Sequence, residues 1–261
     1  MAIRKFLWLH PFCACLWLIL FQLASRAGDV AFTNSLMQAA QAETRGDLSA
    51  ALRIYTREQQ ISSHDSPALC LLTRKLCDLM RLTNSPVVQK DLASRALACA
   101  LQAITADSNN ATAHASAAVC YAKLCLFAGV KESLDNSRLF KAQAEKAIAL
   151  DPHQDTAYYL LGRWNYSFAN VGLMSRAFVK VVYGGLPPAS NADAIANFKK
   201  AIAIAPNAIL YHAGLAMVYE TTGDKKSELA ELKKCHDLKP LTVEDQDAQR
   251  DAAKKLAAFG E

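Results

Sequence analysis

Arg163 lies four residues after Tyr159 and three before Tyr166, a spacing that puts two phenols and a guanidinium on one face of a helix. Such a face suits binding, because the planar guanidinium fork grips a carboxylate or a phosphate while the rings supply contact surface, with an intramolecular pair for Arg163 as the alternative. Trp164, beside it, reads as a core aromatic between helices, with a ligand-contacting patch as the alternative. The parts needed for bond-breaking chemistry are not recognisable. His64, His114, His153, His212 and His236 are scattered and lack the His-Glu-x-x-His spacing of a metal site. There is no Gly-x-Ser-x-Gly elbow or phosphate-cradling loop, and Gly184-Gly185 precedes Pro187-Pro188 as a turn does. Glu244 and Asp245 open a helix, where acids suit the helix dipole. Cys70, Cys77, Cys99, Cys120, Cys125 and Cys235 form no Cys-x-x-Cys pair. Cys70 and Cys77 would stand about 10 Å apart along one helix, beyond disulfide reach. Buried apolar packing is the expectation for all of these thiols, with bridges between different helices as the alternative, and neither catalytic residues, a metal nor a cofactor is expected.

The elements that would position the Arg163 face follow from composition and repetition. Hydrophobic residues make up 52% of the 261, dominated by Ala and Leu, while Gly, Pro and β-branched runs are sparse. An all-α protein follows. From Pro206 to Pro240 the chain advances by 34 residues and carries Leu215, Ala216, Tyr219, Gly223-Asp224, Leu232 and Cys235. These residues fit the tetratricopeptide pattern of small residues at a helix crossing, an aromatic wedge, a Gly-Asp turn and a terminating Pro. A preceding copy has Leu161, Gly162 and Tyr166, then Ala194, Phe198, Ala201 and Pro206, interrupted by an apolar insertion over Val171 to Tyr183. Earlier copies are marked by Ala117, Ala118 and Tyr121, by Ala96, Ala100 and Ala103, and by Gly46-Asp47 with Tyr55. The expectation is a tetratricopeptide-like right-handed solenoid of about five helical hairpins, with Val243 to Phe259 as a C-terminal capping helix.

In such a stack the first helices of the hairpins line a concave groove. The candidate groove residues are Tyr159, Arg163 and Tyr166 in one copy, Ala213, Met217 and Glu220 in the next, and Val119 and Lys123 in the one before.

The formal charge of +5 includes Arg4, Lys5 and Arg26, so the remainder is close to neutral and nucleic acid is not an expected partner. Residues 1–27 read as an export signal, with Arg4 and Lys5 before the apolar Phe6 to Leu23 and small residues around Ala27. Export to a periplasm or the exterior after cleavage is expected, with membrane anchoring by residues 6–23 as the alternative. The repeat domain would then occupy 28–261.

From about Ala113 onward the chain resembles the regulator of microtubule dynamics family. The resemblance rests on Ala118 to Leu124, Gly129-Val130-Lys131, Glu145 to Ile148 with Leu150-Asp151-Pro152, and Tyr159 to Trp164 with Tyr166. It continues through Gly184 to Pro188, Phe198 with Ala201, and Thr242 to Asp245. It implies a helical adaptor, associated in animal members with microtubules or organelle membranes and in some with lipid handling. The function expected is a non-catalytic scaffold that takes a protein or peptide in its groove, with microtubules as a partner by resemblance only. The alternative is a carrier of a lipid or other apolar ligand, in which the inserted segment closes the groove over it.

Overall fold

The computed structural model describes residues 29–259, and the expected leader therefore lies outside the described residues. The chain divides into two compact units after Ile61. Every regular element among the described residues is helical.

The first unit contains α1, helical over 29–44, and α2 (Leu48–Ile61). They meet at the turn marked by Gly46-Asp47. Gly46 takes φ 72°, which a side chain resists, and the Asp47 carboxylate caps α2 by accepting from the Ala50 N–H at 2.9 Å. Ala39, Ala42 and Ala51 are buried, and the fully buried Tyr55 turns its hydroxyl to Glu43.

The second unit holds α3 (Ser66–Leu79), α4 (Pro86–Ala106), α5 (Ala111–Leu124), α6 (Val130–Leu150), α7 (Asp155–Ala169), α8 (Leu173–Tyr183), α9 (Asn191–Ile204), α10 (Ile209–Thr222), α11 (Lys225–Asp237) and α12 (Val243–Phe259). Its hairpins are α3–α4, α5–α6, α7–α9 and α10–α11, with α8 as the inserted helix. With α1–α2 this makes the five expected hairpins, and α12 has the expected span.

Local chemistry starts and stops these helices. Asp65, Ser85, Asn110, Ser190 and Asp224 each accept a backbone N–H at a helix start, and Pro67 and Pro86 occupy first-turn positions where no N–H is missed. Gly184 and Gly223, at φ 80° and 79°, end α8 and α10.

The crossings are built from alanine. Ala93, Ala96, Ala100, Ala113, Ala117, Ala118, Ala144, Ala147, Ala194 and Ala201 are all fully buried, so backbones approach closely at little side-chain entropy cost. Phe198 of α9 fills the space that Gly162 of α7 and Gly214 of α10 leave open.

At the C-terminal end, Ala252 and Leu256 of α12 pack on Ile209, Ala216, Leu232 and Cys235, covering an apolar face that α10 and α11 would otherwise expose. The Gln249 amide donates to the carbonyls of His236 at 2.7 Å and Leu238 at 3.0 Å, near the end of α11. Arg81, in the turn after α3, pairs with Glu244 of α12, so the first and last helical segments of this unit are linked.

Candidate groove site

Helices α5, α6 and α7 enclose an open cavity of about 440 Å³. Val119, Ala122, Lys123 and Leu126 reach it from α5 and the 3-10 turn Cys125–Phe127 that continues it, at spacings of three, four and seven residues that mark one helix face. From α7 come Tyr159 and Arg163, one turn apart, then Trp164, Ser167 and Phe168. Ser133, Ser137 and Phe140 of α6 complete the wall.

Trp164 is the floor. Its ring is buried, its indole N–H donates to the Ser137 carbonyl at 3.1 Å, and Phe168 lies 4.8 Å away centroid to centroid. Lys141 sits over the ring at 4.7 Å, a cation–π contact that adds to the anchoring. The core reading of Trp164 and its place in a ligand-facing wall therefore hold together.

Two cations face the cavity, Lys123 and Arg163, and no carboxylate lines it. Arg163 donates to the Tyr159 hydroxyl at 3.3 Å, which orients the guanidinium without neutralising it. Tyr159 is held in turn by stacking on Tyr211 at 4.9 Å and by a tilted contact with Phe198 at 5.9 Å. Tyr211 donates to Asp155 at 2.8 Å; burial, reinforced by that carboxylate, pushes its phenol well above the ordinary range. The aromatic face is thus locked from behind and open in front.

Of the eight groove candidates, Val119, Lys123, Tyr159 and Arg163 meet at this cavity; Tyr166, Ala213, Met217 and Glu220 do not. Tyr166 hydrogen-bonds Thr221 of α10 at 3.1 Å and packs against the Phe198 cluster. Met217 is half-buried on α10. Its neighbour Ala213 packs against the cluster shared by α10, α11 and α12, and Glu220 pairs with Lys255 of α12, so the chain's own C-terminal packing takes up part of the α10 surface that the repeat pattern assigns to the groove. Leu126 was not among the candidates, yet it is 76% exposed at the cavity rim. Extending the Val119 spacing by seven residues would have found it. Nor does the inserted segment close this groove: no α8 residue lines it.

Two histidines in corresponding places have structural roles. His114 of α5 bridges Gln143 of α6 at 2.6 Å and the Ser108 carbonyl at 3.1 Å. His212 of α10 bridges Glu231 of α11 at 2.6 Å and the Pro206 carbonyl at 2.8 Å. Each buried ring ties the second helix of its hairpin to the loop before the first. The six cysteines among the described residues are free, and all except Cys125 are buried.

The family model described as Regulator of microtubule dynamics protein 1-3 matches residues 35–260. Regulator of microtubule dynamics protein 1 of Pongo abelii is 29% identical over 207 residues, covering 78% of this chain and 65% of that protein. Regulator of microtubule dynamics protein 3 of Xenopus laevis is 29% identical over 191 residues, covering 73% of this chain and 41% of that protein. The chain thus spans less than two thirds of the length of either relative. Among solved structures, a thermophilic TPR protein of Thermus thermophilus superposes with a TM-score of 0.58 at 17% identity, over 85% of this chain and 98% of that one, which supports the tetratricopeptide-like fold.

These relatives overturn the expected export, while the anchored alternative concerns residues 6–23, which lie outside the described residues. The relatives are named as regulators of microtubule dynamics, and an exported protein would not meet cytoplasmic microtubules. An apolar run with two leading cations does not by itself decide the compartment, and this run lies outside the matched residues. By a match that takes in both helical units, the chain belongs to the regulator of microtubule dynamics family.

Proposed function

We propose that the chain is a non-catalytic scaffold that seats an acidic, partly apolar protein segment in the α5–α7 groove. The observation that carries this reading is the pairing of Lys123 and Arg163 over an aromatic floor in a cavity whose lining has no carboxylate. Neither cation has an ion-pair partner among the described residues. A carboxylate entering between them would gain charge-assisted hydrogen bonds, while Val119, Leu126, Trp164 and Phe168 take the apolar part of the segment. The tetratricopeptide-like fold and the family both favour a protein partner. The names of the relatives make the microtubule the first partner to try.

The test is co-pelleting of the full chain with assembled microtubules, wild type against Lys123→Glu/Arg163→Glu. Pelleting that the double variant abolishes supports groove binding to the polymer. Pelleting that it leaves intact removes the groove from the interaction. No pelleting by either would direct the search to another protein partner.

A further inference from the structure

Helix α8 presents its apolar side outward. Leu173, Met174 and Val181 are 82%, 87% and 85% exposed, and Phe178 and Val182 are more than half exposed. The one buried side chain of the helix is Val179. At about 100° per residue, Val179 lies opposite the stripe formed by Leu173, Ala177 and Val181. A helix serving only the core of its own chain would turn that stripe inward. Val179 instead meets the body, and Arg176 ties α8 to it by donating to the Phe168 and Ala169 carbonyls at 3.1 and 3.2 Å near the end of α7.

Charge selects the occupant. From Thr156 to Ala192 the sequence has no Asp or Glu, and it carries Arg163, Arg176 and Lys180. Lys180 stands beside the apolar stripe and has no ion pair among the described residues. A second copy of the chain would bring like charges together along α8 with no acid to meet them. The convex ridge of Leu, Met and Val suits a fluid apolar phase, and its bordering cation suits anionic headgroups. We infer that α8 is an interfacial helix that lays Leu173, Met174 and Val181 into the surface of an anionic lipid bilayer, with Lys180 at the headgroups. At 11 residues it is about 16 Å long, enough to lie in the interface and too short to cross it.

Hydrogen exchange of the full chain tests this, because it reads α8 separately from every other segment that could meet a membrane. With vesicles of phosphatidylcholine and phosphatidylserine, exchange over 173–183 is expected to slow by about tenfold. Leu173→Glu/Val181→Glu, both at exposed positions, should abolish the slowing while circular dichroism and Tm stay unchanged. Replacing Lys180 with Gln should reduce vesicle affinity about fivefold. Unchanged α8 exchange in a chain that floats with the vesicles would overturn the inference, as would equal slowing on phosphatidylcholine alone. Slowing that survives in the double variant, or that requires an added protein in place of lipid, would also overturn it.

Discussion

The Phe198 ring occupies the place where a side chain on Gly214 would begin: a Cβ there would lie 2.5 Å from Cε1 of the ring. A Cβ on Gly162, across the ring on α7, would come within 2.9 Å. Because α7 carries Tyr159 and Arg163, this contact ties the α9 and α10 packing to the groove wall. Gly214→Ala should destabilise the fold by roughly 1–3 kcal/mol through overpacking. Adding Phe198→Leu should recover part of that loss, because the smaller side chain returns the space. Urea unfolding of the single and double variants gives both numbers.

Acid should weaken the α10–α11 hairpin through Glu231. Burial raises its carboxyl pKa, but hydrogen bonds from His212 and Lys234 outweigh this and leave it below the usual glutamate value. A depressed folded pKa adds stability above the unfolded value, near 4.5, and that stability disappears as pH falls through the folded value. Glu231→Gln should therefore be less stable than wild type at neutral pH, and the gap should close below about pH 4.5. Thermal melts across that range measure it.

Trp164→Phe should cost about 2 kcal/mol, because the buried Ser137 carbonyl loses its indole donor and Lys141 loses its richest π face. Stability is read by denaturant unfolding, and partner binding should weaken with it because Trp164 lines the groove and Phe168 packs on its ring.

Alkylation should distinguish the cysteines of the described helices. Burial pushes the Cys99 thiol up to about 11 and the Cys235 thiol up to about 12. Cys125, half-buried in the turn at the groove rim, should react with maleimide before the other five, as peptide mass spectrometry of the native chain would show.

The sequence showed the repeat more clearly than its use. Gly46-Asp47 and Gly223-Asp224 could be read as turns because positive φ and a carboxylate cap are local requirements, and α12 was found because its apolar spacing is local too. Helical spacing brought together four of the eight groove candidates, Val119, Lys123, Tyr159 and Arg163, which line one cavity. It could not set the other four apart, because the chain's own α10 and α12 packing decides which face stays open. Periodicity marked α8 as a helix but could not show that Leu173 and Val181 face away from the body, since that depends on Val179 being the side that is buried and on Arg176 reaching the end of α7. The paired roles of His114 and His212 were hidden for a similar reason, their partners Gln143 and Glu231 lying 29 and 19 residues further along the chain.

Site-specific photocrosslinking in the source cell tests the groove most directly. A photoreactive residue replacing Leu126, at the rim of the cavity, should give an adduct with a protein partner. That adduct should be lost when Lys123 and Arg163 are both changed to Glu, while a photoreactive residue at the exposed Val87 on α4 should give no adduct with the same protein. An adduct that forms from Val87 and not from Leu126, or one that survives the double charge reversal, would contradict groove binding.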